Sequence, residues 1–497
     1  MQIFTFSPFG YEGALVNVEV DLRRGIPAVD VVGMADGAVK ESRERVKAAI
    51  RNSGFEFPTE RVLISLSPAD LKKEGAILDL SIATGILVAV NEPGYAKENV
   101  IVLGELELSG KVRPCKAIHA AASTAHSAGI RYAVVPKQNL EEARAIRGMK
   151  VVGVETLQEA EAALRNLSCF EEAKYIEENC SETGFFASDE AKEDLILPKN
   201  LARAVEIAVA GKHNLMAVGR PGCGKTLAIQ TLVPALAPSL TVEEAQTVTR
   251  IHSIAGLLCK NDSLIRTPPF RMPHQTASLE GICGGGVNCR PGEVSLAHNG
   301  FLFLDEAAEF RTAVLQMLRV PMESGAMTVS RAGRCSTFPA KCQVLMATNP
   351  CPCGNYGSKE RACLCSEKSI AQYWNKLGNP LIDRISVICN VEENEEREKV
   401  NLSELRSHIK SAFEIQRKGG NYNNNLSPHE LLERFRADKE AGEILDSYTQ
   451  QNPVSVRRAA SIRKVALTIA NTEGRETVCA ADVREVISYS KPFHSEL

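Results

Sequence analysis

Two periodicities alternate along the first 170 residues. In "ALVNVEVDL" apolar side chains fall at every second position (Val16, Val18, Val20, Leu22), the spacing that lays one face of a strand against a core. "AVDVVGM", "ERVLISLSP", "YAVVP" and "KVVGV" read as further strands. "DGAVKESRERVKAAIRNSG" spaces its apolar residues as an amphipathic helix does and stops at Gly54. "LSIATGILVAV" (Leu80 to Val90) is nearly all apolar, too short to span a bilayer, and reads as a core helix. An α/β or α+β domain is predicted over residues 1–170.

Both periods stop at "EEAKYIEENCSETGFFASDEAKE", so residues 171–193 read as an acidic linker. A second α/β block follows over 194–395. From 396 to 497 the text is polar and helical: "VRRAASIRKVALTIANTEG" predicts a helix ending near Gly474, and "ADVREVISYSK" another. The 497 residues leave room for about three domains. Apolar residues make up 44% and aromatics only 5%, so aliphatic side chains must fill the cores. A net charge of −3 excludes a chain-wide basic coat and leaves only a local basic strip for nucleic acid. The N-terminus lacks the basic start and apolar core of a signal peptide, which points to a cytoplasmic protein with no membrane partner. In that reducing setting the fifteen cysteines read as buried apolar residues or metal ligands.

The strongest chemical signal is "NLMAVGRPGCGKTLAIQTL". Gly219, Arg220, Pro221, Gly222, Cys223, Gly224, Lys225 and Thr226 form a G-x-x-x-x-G-K-T phosphate loop between a strand and a helix. Glycines let backbone N–H groups face phosphates, Lys225 reaches the β- and γ-phosphates of ATP, and Thr226 binds Mg²⁺. Downstream, the apolar run Phe301 to Leu304 ends in Asp305 and Glu306. Asp305 is expected to hold Mg²⁺ and Glu306 to orient the attacking water. The next apolar strand ends at Thr348 and Asn349, where the asparagine either touches the γ-phosphate or lytic water, or forms a turn before Pro350.

With "PFRMPHQTASLEGICGGG", "PGEVSLAHNGFLFLDEAAEF", "NPLIDRISV" and "SPADLKKEGAILDL", the chain resembles the YifB/ComM family of Mg-chelatase-like AAA+ ATPases over nearly every residue. The resemblance implies an AAA+ P-loop NTPase core with a helical lid. Asn349 falls at its sensor-1 position, Arg384 at the arginine finger that acts on a neighbouring subunit, and Arg457 at sensor 2. A trans-acting finger implies a ring, a homo-hexamer. The alternative for Arg384 is an ion pair with the adjacent acidic residue, and Arg458 competes with Arg457 for the lid role. Residues 272–297 resemble the family's helix-2 insert, with Gln275 where many relatives have a second histidine. "AMTVSRAGRCSTFPAKCQV" resembles the pre-sensor-1 hairpin, whose Arg331 and Arg334 either contact DNA phosphates or serve surface solubility.

Residues 1–170 resemble the proteolytic domain of Lon proteases and its relative in RadA, an S5-like α+β fold. Ile77 stands where Lon has its serine, and His119 or a neighbour where Lon has its lysine, so no Ser–Lys dyad can form and protease activity is not expected.

Cys351, Cys353, Cys363 and Cys365 follow the sensor-1 strand as two C-x-C pairs. They read either as a closed structural Zn²⁺ site or as free, redox-active thiols. The phosphate loop is far away in sequence, so losing this site is expected to spare ATP binding. The function implied by the resemblance is an ATP-hydrolysing ring motor on single-stranded or branched DNA, like the ComM branch-migration helicase. The alternative is a chelatase-type or protein-remodelling motor acting on a protein partner.

Overall fold

The structure, a computed structural model, describes residues 1–490 apart from 34–36, 70–72, 74–75, 92–93, 96, 173–184, 188–194, 259–262, 287–288, 332–333, 359–360, 393–394 and 453. The first region is an eight-stranded mixed sheet built from β1 (Ile3–Ser7), β2 (Ala14–Arg23), β3 (Val29–Val32), β4 (Arg61–Ser67), β5 (Val100–Val102), β6 (Tyr132–Pro136), β7 (Lys150–Val154) and β8 (Glu171–Glu172), in the order β8-β7-β6-β5-β1-β2-β4-β3. On β2 the alternation does its expected work: Val16 and Val18 are buried while Glu19 is exposed. Helix α1 (Gly37–Asn52) is amphipathic, whereas α2 (Asp79–Val90) is buried from Asp79 to Val88, as an all-apolar helix must be. At Gly85 an added Cβ would lie 3.2 Å from Val20, so the missing side chain lets α2 approach β2.

The longer of the further helices in this region are α3 (Ile118–Ser127) and α4 (Leu157–Arg165). Most of the linker expected at 171–193 lies outside the described residues. Of the described part, Glu171–Glu172 pairs with β7, and Phe186 bridges to Pro238 while Phe185 stacks edge-on against Phe413.

The second region holds α5 (Lys199–Gly211) and a five-stranded parallel sheet. Its strands are β9 (Leu215–Gly219), β10 (Phe270–Arg271), β11 (Phe301–Leu304), β12 (Gln343–Thr348) and β13 (Val387–Val391), in the order β10-β11-β12-β9-β13. Leu215 pairs with both Leu345 and Val387, and Phe301 with Gln343. Every residue of β9, β11 and β12 is buried, as expected of parallel strands covered on both faces. Because all five run the same way, their carboxyl ends form one edge and their amino ends the other.

The helices α6 (Lys225–Leu236) and α7 (Val242–Ala255) follow β9. Beyond the sheet, α8 (Leu402–Lys418), α9 (Val456–Thr472) and α10 (Ala480–Ser488) form a helical lid that shares a core with α5 and the sheet. A buried polar cluster pins lid to sheet: His213 Nε2 lies 2.8 Å from Thr468 Oγ1, and Gln416 Nε2 donates to Ala210 O at 3.0 Å. The short strand Arg397–Lys399 pairs back with Ile196–Pro198, before α5.

The first region docks on α7. Arg250 donates to the carbonyls of Tyr11 and Glu12 at 3.2 and 3.0 Å, and lies over the Tyr11 ring. Tyr11 N–H in turn donates to Ser336 Oγ at 2.9 Å, in a hairpin that pairs Ala326–Arg331 with Arg334–Pro339. Among the described residues no helix is long and apolar enough to cross a membrane.

Candidate functional site: a phosphate loop and an arginine pair at opposite sheet edges

Three strand ends meet at the carboxyl edge. β9 ends at Gly219, and the loop then needs φ of 81° at Gly222 and 100° at Gly224, in the left-handed region that glycine tolerates. Helix α6 begins at Lys225, so its unpaired first-turn N–H groups open onto the loop. Lys225 Nζ donates to Gly219 O at 2.6 Å and Arg220 O at 2.8 Å. Burial pushes the Lys225 pKa below its ordinary value, against the pull of Cys223, Asp305 and Glu306. Thr226 Oγ1 lies 3.1 Å from each Asp305 carboxylate oxygen. A hydroxyl and a carboxylate converging beside a phosphate cradle are the hard oxygen donors that Mg²⁺ takes, with water and phosphate completing its shell.

Glu306 is exposed at φ 50°, a conformation costing a non-glycine residue on the order of 1–2 kcal/mol. Such strain is concentrated where a turn must aim a functional group. Asn349 follows β12 directly, and Thr348 before it is tied to Tyr373 OH at 3.1 Å.

The four cysteines continue from Asn349. Trp374 Nε1 donates to Pro350 O at 3.1 Å, fixing the base of the loop on helix Glu367–Leu377. The Sγ atoms of Cys351 and Cys353 are 3.3 Å apart, those of Cys351 and Cys363 3.7 Å, and those of Cys353 and Cys363 3.6 Å. All four sulfurs lie within 4.8 Å of one another. A tetrahedral zinc with Zn–S near 2.3 Å sets sulfurs about 3.8 Å apart, so the donor set fits. Tyr356 N–H donates to Cys351 Sγ at 3.3 Å, and the four thiols share their protons unequally. The Asn355 N–H leads in pulling Cys353 down to about 6, while at Cys363 and Cys365 a backbone hydrogen bond is outweighed by burial and the neighbouring sulfurs, which push Cys363 up to about 12 and Cys365 up as well. This is the one group of three or more metal-ligating side chains among the described residues.

The expectation that losing the cysteine site spares ATP binding rested on sequence distance. The cysteine loop does not stand apart from the phosphate loop: Gly354, at φ 78°, packs on Pro221 so closely that an added Cβ would lie 2.6 Å from Pro221 Cδ. Sequence distance hid this contact because β12 and β9 are neighbours in the sheet.

The arginines lie at the other edge. Asn214, just before β9, donates to Arg384 O at 3.0 Å, and its own carbonyl accepts from Ser386 and Val387 at the start of β13. Arg384 and Arg457 both donate to one oxygen of Glu323, not to the adjacent Asp383. Arg457 and then Arg384 hold the Glu323 pKa below the ordinary carboxylate value. Arg458 is buried and donates to Ile385 O and Ser490 O, while the Arg457 side chain is half exposed. The arginine pair lines a cleft of about 1310 Å³ with Lys212, Lys341 and Lys464. With strands of five or six residues at about 3.3 Å each, roughly 16 Å or more separates the two edges, further than an arginine side chain extends.

Arg331 and Arg334 form the last pair of the hairpin, and their side chains lie outside the described residues. In the 272–297 segment, His274 Nδ1 is engaged by Thr276 Oγ1 at 2.8 Å. Ile77 is buried in the first region's core. His119 is also buried, which pushes its pKa down to about 4, and its Nε2 lies 2.8 Å from Gln246 Oε1 on α7. That ring makes a contact between the two regions.

Sequence reading missed Glu323, Gly354 and Arg250. No motif or period marks them; each acquires its contact from a residue remote in sequence.

Family models match three stretches: residues 193–399 (magnesium chelatase, subunit ChlI), 18–139 (subunit ChlI of Mg-chelatase) and 400–490 (the ChlI C-terminal part). An uncharacterized protein of Mycobacterium tuberculosis is 35% identical over 98% of this chain and 97% of its own length. The competence protein ComM of Haemophilus influenzae is 32% identical and the uncharacterized protein YifB of Escherichia coli 33%, each over 98% of this chain and 96% of its own length. A Lon protease of Chloroflexus aurantiacus is 28% identical over 142 residues, 27% of this chain and 17% of its own.

Proposed function

The chain belongs to the Mg-chelatase-like ChlI/YifB/ComM family of AAA+ ATPases, and we propose that it is the subunit of an ATP-driven homo-hexameric ring that moves on DNA. The observation carrying this reading is the separation of the two edges. A chain whose phosphate loop and arginine pair lie at opposite ends of one sheet cannot complete its own site, but a head-to-tail neighbour can.

In the assembled site Lys225 and the loop N–H groups bind the β- and γ-phosphates. Thr226 and Asp305 would hold Mg²⁺, which when bound would neutralise charge on those phosphates. Glu306 orients the lytic water and Asn349 contacts the γ-phosphate or that water. Arg384 and Arg457 leave Glu323 and offer guanidinium groups to the charge that spreads over the transferring phosphoryl. The four cysteines hold structural zinc. Residues 1–170 are a Lon-like domain without proteolytic activity, given the aliphatic Ile77 and the engaged His119. DNA is favoured by the hairpin bearing Arg331 and Arg334 and by the full-length likeness to a competence protein. We read the protein as cytoplasmic.

ATP turnover measured with single-stranded DNA, branched DNA and unfolded protein tests the substrate. Stimulation by DNA alone supports the reading. Stimulation only by protein overturns it in favour of a remodelling or chelatase-type motor.

A further inference from the structure

The contact between Gly354 and Pro221 joins two features that the proposed function treats separately. Pro221 is the third residue of the phosphate loop, and its ring fixes its own backbone. A push on it passes to Arg220, whose carbonyl holds Lys225, and to Gly222, whose left-handed backbone shapes the cradle. The other side of the loop is already held, because an added Cβ on Gly219 would lie 3.0 Å from both Val391 O and Cys223 Sγ. Pro221 is therefore the flank through which the loop can be set.

Gly354 is itself positioned by the thiol site. It follows Cys353 directly, and its N–H donates to Cys351 O at 2.9 Å. Cys351 is fully buried and lies one residue beyond Pro350, which Trp374 anchors. Cys353, directly before Gly354, has its Sγ 3.6 Å from that of Cys363. A bound tetrahedral ion holds it there; four unligated thiols at such distances have no comparable attraction.

We propose that the four-cysteine loop controls nucleotide affinity: a soft divalent cation, zinc first, held by Cys351, Cys353, Cys363 and Cys365 keeps Gly354 seated on Pro221 and the phosphate loop in its binding form. The inference rests on the zinc reading above and adds a regulatory role to it. Metal-free protein has a looser cradle and holds nucleotide more weakly. The device makes ATP use conditional on metal supply.

The test uses the full-length protein with magnesium in excess. ADP affinity is measured by calorimetry before and after a zinc-selective chelator, with zinc content and far-ultraviolet circular dichroism recorded on the same samples. About one zinc per chain is expected, with chelation weakening ADP binding about tenfold at unchanged secondary structure and added zinc restoring it. Gly354→Ala, which leaves all four ligands in place, should retain zinc and show a comparable weakening. If that variant does not fold, Cys363→Ser carries the same expectation for affinity. Equal ADP affinity in zinc-loaded and zinc-free protein overturns the inference and leaves the zinc reading standing. Protein that neither contains nor takes up zinc overturns the zinc reading, and the inference with it; metal analysis tells the two failures apart.

Discussion

The two edges of the parallel sheet are built from the same strands and differ in almost everything else. At the carboxyl edge the backbone does the work: left-handed glycines, an open helix start and a strained Glu306 shape a cradle whose lysine, Lys225, is parked on carbonyls. At the amino edge side chains do the work: two arginines converge on one carboxylate above a wide cleft, with no phosphate-shaped backbone nearby. The first edge can bind phosphate, and the second holds the positive charge that phosphoryl transfer needs. In the proposed function each edge supplies what the other lacks, and a neighbouring subunit brings the two together.

The largest effect should come from disabling the cradle. Lys225→Ala is expected to abolish measurable ATP binding, while Glu306→Gln should keep binding and lower turnover by about 10²–10³. Nucleotide affinity and hydrolysis, measured on both variants, check this; near-normal turnover in Glu306→Gln removes that residue from the role.

Disabling the other edge should cost nearly as much without touching affinity. Arg384→Ala is expected to cut turnover by about 10³, at the low end for an arginine finger. Mixing it with Lys225→Ala subunits should restore part of the rate, since some junctions then pair an intact cradle with an intact finger. Mixed rings that stay inactive would break the complementarity of the two edges.

The neighbouring arginines Arg457 and Arg458 sharpen the comparison within one turn of helix. Arg458→Ala should cost about 2–3 kcal/mol of stability, because it leaves two buried carbonyls without their donor. Arg457→Ala should shift thermal unfolding little and lower turnover instead. Paired melting and activity measurements separate the two roles.

The smallest effect concerns Glu323. Its carboxylate competes with phosphate for both arginines, so Glu323→Gln should change turnover by no more than a few-fold, upward if release of the arginines limits the rate. The ion pairs also carry a pH signature. A carboxyl held below its ordinary value of 4.5 favours the folded contact fully above that pH, and the contribution fades as pH falls through the lowered value. Melting profiles between acid and neutral pH, compared with Glu323→Gln, should show that loss in the parent protein only.

What the sequence determined by itself was whatever a short, contiguous stretch can encode. The phosphate loop sits within eight residues, Asp305 and Asn349 each directly follow an apolar strand, and Glu306 follows Asp305, so period and motif marked them in the sequence. The helices of the lid and the alternation on β2 were legible for the same reason: local spacing fixes which face of an element is apolar. Tertiary structure alone decided what meets across the chain. Arg457 finds Glu323 across 134 positions, Gly354 rests on the phosphate loop because β12 lies beside β9, and Arg250 reaches back 239 positions to Tyr11. Such contacts depend on strand order and domain docking, which arise from the packing of whole surfaces and leave no periodic mark on either partner.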